Sequence, residues 1–339
     1  MNRLVIAIVV WNNADDATRC ASSLLAQTLK NMTVVFVDND SEENCVKMLQ
    51  DYIDTTNVSD IHLHQTGQNS GTAGGFTAAA QWAKQHDFTY VGALNADAVA
   101  DKNWCESLVR ELETHPDTAI VTGAILSHDG KTIDSTGDFY TTWGLPGPRN
   151  RDDIAKLAPN KSEYVFGATG GGFIARTSLY DDIGYYDEVM FMYYEDVDFA
   201  FRAQLAGYKV RYCPDAIAYH KRGASADTVP GLAVYNTFKN LPILFTKNVP
   251  LGLWPTIYPR FILTYSLILA SAVKNGNGWP AIKGFLMSWR YLVYMFQQRR
   301  HVQKLKSVST SYINSIIIHD IMPNQTGLRK FRKIFTGRA

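Results

Sequence analysis

Over the first 127 residues, short apolar runs alternate with segments in which apolar positions recur three and four apart. Leu4 to Trp11, Met32 to Val37, Ile61 to His64, Tyr90 to Leu94 and Ala119 to Leu126 predict strands. Asp15 to Gln27, Glu42 to Tyr52, Gly75 to Lys84 and Asp101 to Thr114 predict the helices between them. Strands alternating with helices imply an α/β fold, a mostly parallel, doubly wound sheet with helices on its faces. Ligands of such sheets sit outside the carboxyl ends of the strands, near a topological switch point. Polar residues gather there: Asp38-Asn39-Asp40 after the second run, Asn69-Ser70-Gly71 after the third and Asn95-Ala96-Asp97 after the fourth.

The pattern then loosens. Ser127 to about Ser162, with Asp129-Gly130 and Trp143-Gly144-Leu145-Pro146-Gly147-Pro148, predicts a hairpin and a long loop. Phe166 to Ile174 is a Gly-rich buried segment, Glu195 to Ala206 a short helix and Lys209 to Cys213 a strand. Beyond residue 234 the spacing is that of long helices, which divides the chain into 1–233 and 234–339. Phe261 to Val273, thirteen apolar or weakly polar residues between Arg260 and Lys274, falls short of a bilayer span, which needs roughly 20. Ile282, Phe285, Leu286, Trp289, Leu292, Val293 and Phe296 recur at helical spacing, with Lys283 and Arg290 on another part of the surface.

With 339 residues and 46% hydrophobic content, the chain can bury one large core plus an appended unit, which excludes disorder over most of its length. The net charge of +1 conceals an asymmetry: residues 226–339 hold fifteen Lys and Arg against Asp227 and Asp320, or +13, leaving −12 on residues 1–225. The two parts face different partners. Four cysteines, Cys20, Cys45, Cys105 and Cys213, have neither close pairing nor zinc-type spacing, as fits a reducing compartment. The apolar run at Arg3 to Val10 is too short for a signal segment, and a cytoplasmic protein is expected.

Several polar groups carry candidate chemistry. Asp38, at the end of Val34-Val35-Phe36-Val37, could accept hydrogen bonds from a nucleobase, or serve as a turn or capping residue. Asn69 to Gly75 offers a backbone that a ligand can approach closely, or a tight helix entry. It is not the dinucleotide fingerprint, which would follow the first strand, where Trp11-Asn12-Asn13 stands. Asn95-Ala96-Asp97 has one carboxylate where a metal-binding pair of acids would have two, which suffices for Mn2+ or Mg2+ if phosphates and water complete the shell. His220 is a possible second ligand. Glu195, Asp196 and Asp198 open a helix, where its dipole favours carboxylates. Their aromatic neighbours Phe191, Tyr193, Tyr194 and Phe199 would raise the pKa of one of them towards that of a general base, and Asp196 is the candidate.

Taken in order, Val9-Val10-Trp11-Asn12, Ser22-Ser23-Leu24-Leu25-Ala26-Gln27-Thr28, Val37-Asp38-Asn39-Asp40-Ser41, Asn69-Ser70-Gly71-Thr72-Ala73-Gly74-Gly75, Leu94-Asn95-Ala96-Asp97 and Tyr194-Glu195-Asp196-Val197-Asp198 resemble family 2 glycosyltransferases. The resemblance covers roughly residues 3–247. With Pro214-Asp215-Ala216, His220 and Gly223-Ala224-Ser225, it extends to bacterial rhamnosyltransferases and galactofuranosyltransferases that build lipid-linked cell-envelope glycans. It implies a GT-A fold, inversion at the anomeric carbon, a nucleoside-diphosphate sugar donor and Mn2+ or Mg2+. Asp38, Asn69, Gly71, Asn95 and Asp97 would bind the donor, and Asp97 and His220 the metal. Asp196 would be the base, with Glu195, Asp198, Gly171 and Gly172 on the acceptor side. Members often carry Asn-Pro-Asp or two acids at the metal motif, where this chain has Asn95-Ala96-Asp97.

The basic helices, with Trp279, Trp289, Arg290, Arg299, Arg300, Lys304, Lys306 and the run Arg329-Lys330-Phe331-Arg332-Lys333, suit an anionic membrane interface or a second subunit. A peripheral position at the inner face of the cell membrane is expected, with a glycan or lipid-linked glycan as acceptor. No nucleic-acid motif accompanies the charge. Two rivals are a sugar nucleotidyltransferase, which would want a Gly-rich, Arg-bearing loop after the first strand, and a non-catalytic scaffold, against which Asp97, Asp196 and His220 argue.

Overall fold

The computed structural model describes residues 3–221 and 229–320. In chain order the elements are β1 (Leu4–Val10), α1 (Ala14–Leu25), β2 (Met32–Asp38), α2 (Glu43–Thr56), β3 (Ile61–Gln65), α3 (Gly71–Gln85), β4 (Tyr90–Leu94), β5 (Ala98–Ala100), α4 (Trp104–Thr114) and β6 (Thr118–Ser127). There follow β7 (Ile133–Ser135), β8 (Asp138–Tyr140), β9 (Pro146–Pro148), β10 (Glu163–Val165), β11 (Gly172–Arg176), α5 (Leu179–Ile183), α6 (Glu195–Leu205) and β12 (Lys209–His220). Five helices close the described chain: α7 (Leu232–Asn248), α8 (Trp254–Lys274), α9 (Gly278–Arg290), α10 (Leu292–Leu305) and α11 (Thr310–Ile316).

The main sheet runs β10-β12-β6-β11-β4-β1-β2-β3, with β5 beside β12 and β7 beside β6. β1 lies between β2 and β4, parallel to both. The chain winds outward from β1 to β3 and then returns to β4 on the other side of β1, so the switch point lies between β1 and β4. Every residue of β1 except Val9 is buried, as expected of a strand covered on both faces. Its alternate residues feed two cores. Val5 and Ala7 pack with Ala73, Phe76 and Ala80 of α3, while Leu4, Ile6 and Ile8 pack with Ala17 and Leu24 of α1.

β12 outruns the strand expected to stop at Cys213. Its register against β6 shifts between Cys213 and Ile217, and this bulge absorbs Pro214. Gly123 makes room for the bulge, since a Cβ there would lie 2.1 Å from the Ala216 carbonyl oxygen. The strand continues to His220, whose partner across the antiparallel ladder to β5 is Ala98. The loop expected between Ser127 and Ser162 contains β7 and the β8–β9 hairpin.

A third core joins α6 to the C-terminal helices, with Val197, Phe201 and Leu205 packed among Phe238, Leu241, Phe245 and Phe261. α7 straddles the division expected at residue 233. α9 keeps its large apolar residues out of the core. Small residues, Ala281, Gly284 and Ser288, face inward, and a Cβ on Gly284 would lie 2.2 Å from the Tyr235 carbonyl oxygen of α7. Ile282, Leu286 and Trp289 are exposed instead. α8 is also longer than the apolar run predicted. The helical stretch Leu251–Lys274 has 24 residues, and its most apolar 18-residue window has mean hydropathy 1.3 with 22% buried, enough by length and composition to cross a bilayer. Pro255 enters at the helix start, where a missing N–H costs no bond, so it does not end the helix.

Candidate active site

The carboxyl edge of the sheet is a set of interlocked turns. After β1, Asn12 Oδ1 accepts a hydrogen bond from Glu42 N at 2.7 Å, and Asn12 N donates to Ser41 Oγ at 3.0 Å. Asp38 is buried at the end of β2, and its Oδ1 accepts from Ser41 N at 3.1 Å, the turn-forming role that its residue type favours. Asn69 accepts from Gly71 N at 3.0 Å and from Asn39 Nδ2 at 3.1 Å. The close approach expected at Gly71 is taken by the protein itself. Gly71 has φ +67°, and a Cβ there would lie 2.1 Å from the carbonyl oxygen of Phe191. Its glycine requirement therefore comes from packing rather than from a ligand.

β5 brings the ends of β4 and β12 together. His220 Nε2 lies 3.0 Å from Asp97 Oδ1 and 3.1 Å from Asn95 Nδ2. On the other side of the ring, Nδ1 is 2.7 Å from Oδ2 of buried Asp134. Arg151 holds Asp134 in turn, through Oδ1 at 2.8 Å and the carbonyl oxygen at 3.1 Å. Burial alone would push the imidazole pKa down, but the hydrogen bonds to Asp134 and Asp97 prevail and raise it to about 9. The ring is thus an imidazolium held between two carboxylates, and a metal ion at Nε2 and Asp97 Oδ1 would displace the Nε2 proton.

Their separation suits a divalent ion. Two adjacent ligands of an octahedral ion with bonds of about 2.1 Å stand about 3 Å apart. A carboxylate on the far ring nitrogen is the usual outer partner of a metal-bound histidine. Among the described residues no cluster of three or more His, Cys, Asp or Glu side chains could hold a metal. A cation at Asp97 and His220 would therefore complete its shell with phosphate oxygens and water, as Mg2+-type ions commonly do.

Across a Gly-rich loop stands Asp196. Gly171 accepts from Asn95 N at 3.1 Å, and Gly170 N donates to Asp196 Oδ2 at 2.8 Å, so one short loop links the Asp97–His220 pair to α6. Asp196 Oδ1 accepts from Val197 N at 2.8 Å. Burial pushes the Asp196 carboxyl above the ordinary range, while the Gly170 and Val197 N–H groups and the carboxyl of Asp138 draw it back.

The chain enters α6 through a strained turn, with Phe191 at φ 63°, Tyr193 at φ 69° and Tyr194 at φ 71°. Left-handed non-glycine residues cost about 1–3 kcal/mol each and cluster at functional sites. α7 holds this turn. Asn240 Nδ2 lies 2.8, 3.0 and 2.8 Å from the carbonyl oxygens of Met190, Met192 and Tyr193, and Lys239 Nζ donates to Val189 O at 2.8 Å.

The acceptor-side expectations divide. Asp198 is enclosed by Arg202 Nε at 2.9 Å, Lys247 Nζ at 3.0 Å and Asn248 Nδ2 at 2.7 Å, and has no exposed surface. It anchors α6 to α7, which corrects its assignment to the acceptor. Gly172 is buried where β11 begins, and a Cβ there would crowd Ile125, Leu94 and Trp104, so it too serves packing. Gly171 stays partly exposed, with Thr169 Oγ1 at 3.6 Å from its virtual Cβ. Glu195 is buried, and burial together with Asp196 pushes its carboxyl well above the usual range. Asp134, Asp138, Arg151, Lys239 and Asn240 are additions that no motif announced. Asp134 and Asp138 sit on three-residue strands too short to show a period.

A doubly wound sheet with its switch point at β1/β4, Asp97 after β4 beside His220 at the end of β12, and Asp196 at the start of α6 joined to them through Gly170 and Gly171 fit the GT-A class. The chain belongs to glycosyl transferase family 2, whose sequence profile matches residues 5–184. The poly-beta-1,6-N-acetyl-D-glucosamine synthase of Staphylococcus aureus is 22% identical over 216 residues, 64% of this chain and 49% of that protein. The chain thus spans about half the length of this curated relative. GalNAc-T7, solved with UDP, GalNAc and Mn2+, superposes with a TM-score of 0.60 at 17% identity, over 73% of this chain and 48% of its own. The mannosyltransferase PcManGT of Pyrobaculum calidifontis, solved with GDP-Man and Mn2+, gives 0.54 at 14% identity over 93% and 85%. Likenesses this distant establish the shared fold.

Proposed function

We propose that the chain is an inverting glycosyltransferase that moves a sugar from a nucleoside-diphosphate donor to a hydroxyl of a glycan or lipid-linked glycan acceptor in cell-envelope polysaccharide synthesis. dTDP-rhamnose, UDP-galactofuranose and UDP-hexoses are the donors to test. The observation that carries the proposal is the joining of the Asp97–His220 pair to Asp196 through Gly170 and Gly171. Related folds solved with nucleotide, sugar and Mn2+ support it.

Asp38 would engage the base, with Asn69 and Asn95 shaping the donor side of the crevice. Asp97 and His220 would hold Mn2+ or Mg2+ against the diphosphate, where the ion neutralises departing charge. Asp196 takes the proton of the acceptor hydroxyl as that oxygen attacks the anomeric carbon on the face opposite the diphosphate. Its raised pKa suits the task. Gly171 and buried Glu195 would line the acceptor side of this crevice.

The acceptor side rests further on the C-terminal helices. Trp279 is 74% and Val293 70% exposed, and Tyr258, Ile262, Leu286, Trp289 and Phe296 are exposed with them. Arg260, Lys274, Lys283 and Arg290 are exposed on the same helices. α8 buries Ile257, Phe261 and Thr264 on one face and shows apolar residues on the other, which favours lying in a membrane interface over spanning it. One expected member is unsuited to this role: Arg299 donates to Thr246 O at 2.8 Å and Val249 O at 2.7 Å and covers Trp254. The basic run at 329–333 and the Gly223-Ala224-Ser225 motif lie outside the described residues. Peripheral membrane contact predicts co-sedimentation with anionic vesicles at physiological salt and none with neutral ones; equal recovery with both would contradict it.

A thermal-shift panel tests the donor assignment. UDP-galactose, UDP-galactofuranose, UDP-GlcNAc, UDP-glucose and dTDP-rhamnose are each compared with and without Mn2+. A donor that binds the native state raises the melting temperature. Stabilisation by one donor that requires Mn2+ and disappears in Asp97→Ala is expected, and stabilisation that survives Asp97→Ala would contradict the metal assignment.

A further inference from the structure

We propose that the cavity between the α5–α6 connection and α10 is a second sugar-binding site, which holds a neutral sugar unit of a glycan without reacting it. The cavity measures about 370 Å³, within the roughly 300–1,000 Å³ of small-molecule sites. None of Asp38, Asp97, Gly171, Asp196 or His220 lines it, so it is separate from the crevice in which transfer is proposed. Ile183 to Val189 form one wall and α10 the other, with buried Arg202 of α6 and Lys247 of α7 at the base.

The base is preorganised. Arg202 donates to the carbonyl oxygens of Ile183 at 2.5 Å and Tyr185 at 2.8 Å, which pins the near end of the connection to α6. Buried Asp187 accepts from Lys247 Nζ at 2.6 Å and from Tyr294 Oη at 2.5 Å, so α7 and α10 hold the same carboxylate. Gly184 opens the wall: at φ +76°, it has no neighbouring group within 4 Å of where a Cβ would stand. A seam that served packing alone would be filled by apolar side chains at crystal-like density. This one stays open between polar groups that are tied to one another.

The lining selects the ligand. Arg202 is matched by Asp198 at 2.9 Å and Lys247 by Asp187 at 2.6 Å, so the base has no surplus charge for a phosphate or carboxylate to meet. Tyr294, Gln298 and His301 follow at i, i+4 and i+7 on one face of α10. Gln298 is partly buried and His301 exposed, and among the described residues neither has a hydrogen-bond partner. The amide both donates and accepts, and the imidazole offers two nitrogens. The opposite wall adds the Tyr185 phenol and the Glu188 carboxylate. Mixed donors and acceptors beside phenol rings match the hydroxyls and the C–H face of a sugar, whereas an apolar ligand would leave the amide unanswered. A glycosyl transferase of family 2 meets such units as a matter of course, because a glycan that offers one hydroxyl for transfer carries further rings that take no part in the step.

The test is saturation-transfer NMR on the full chain, with the methyl glycosides of L-rhamnose, D-galactose and N-acetyl-D-glucosamine as probes and with UDP and Mn2+ present to fill the donor side. Wild type is compared with Gln298→Trp, which fills the cavity, and with His301→Ala. At least one glycoside should bind wild type, with its signal lost in Gln298→Trp and its affinity lowered about two- to tenfold in His301→Ala, the range for one hydrogen bond. Should Gln298→Trp fail to fold, Gln298→Ala combined with His301→Ala takes its place and should weaken binding more than His301→Ala alone. Absence of glycoside binding to wild type, or binding unmoved in these variants, would overturn the proposal. So would binding of inorganic phosphate that competes with the glycosides and disappears in the same variants, since the cavity would then be an anion site. Catalysis does not enter the readout, so this proposal and the assignment of Asp97, His220 and Asp196 can fail separately.

Discussion

The sheet and the C-terminal helices spend similar sequence material in opposite ways. In β1 and α1 the apolar residues are hidden on both sides of a parallel sheet, whereas α8, α9 and α10 bury small or mixed faces and leave Trp, Leu, Ile and Val outside. Apolar periodicity therefore marks a face that leaves water, without saying whether protein or lipid receives it. Asp198 is where the two regions meet: it lies on α6, and from α7 Lys247 offsets its charge while Asn248 donates a hydrogen bond.

That comparison can be broken at graded points. Asp198→Ala should have the largest effect, because it leaves buried Arg202 without its anion and Lys247 with Asp187 alone. A loss of about 3–5 kcal/mol is expected in denaturant unfolding, and a loss under about 1 kcal/mol would mean that the joint does not hold the regions together. Leu24→Ala in α1, at 0% exposure, should cost about 2–5 kcal/mol. Gly284→Ala forces a methyl towards the Tyr235 carbonyl and should cost about 1–3 kcal/mol; an unchanged melting temperature would show that α9 is not seated on α7. Leu286→Ser, at 59% exposure, should change stability by less than about 0.5 kcal/mol yet weaken vesicle binding. A large stability loss there would make the exposed face a protein contact.

How much of this was legible in the sequence follows from the same contrast. β1 to β4 and their helices appear within a few residues of the expected bounds, because the doubly covered strands β1, β2 and β4 must be apolar throughout and each crossover helix must be amphipathic, while the edge strand β3 buries only Ile61. Asp97, His220 and Asp196 stand out in the sequence because chemistry and order mark them, and the structure sets Asp97 and His220 3.0 Å apart. Asp134 and Asp138 are hidden in strands of three residues, too short to show a period even though their partners β6 and β9 lie close by in sequence. The extension of β12 past Pro214 was hidden because the glycine that accommodates it, Gly123, lies on another strand. Asp198 shows the limit of motif reading: two residues from Asp196 on the same helix, it points into the core.

The proposed site divides labour: Asp97 and His220 would hold donor and metal, and Asp196 would move the proton. The most direct test measures donor affinity by calorimetry and turnover by sugar transfer in Asp97→Ala and Asp196→Asn side by side. Asp196→Asn should lose about 10²–10⁴-fold in turnover with donor affinity within about twofold of wild type, while Asp97→Ala loses metal-dependent donor binding. Donor binding lost in Asp196→Asn and kept in Asp97→Ala would contradict the account.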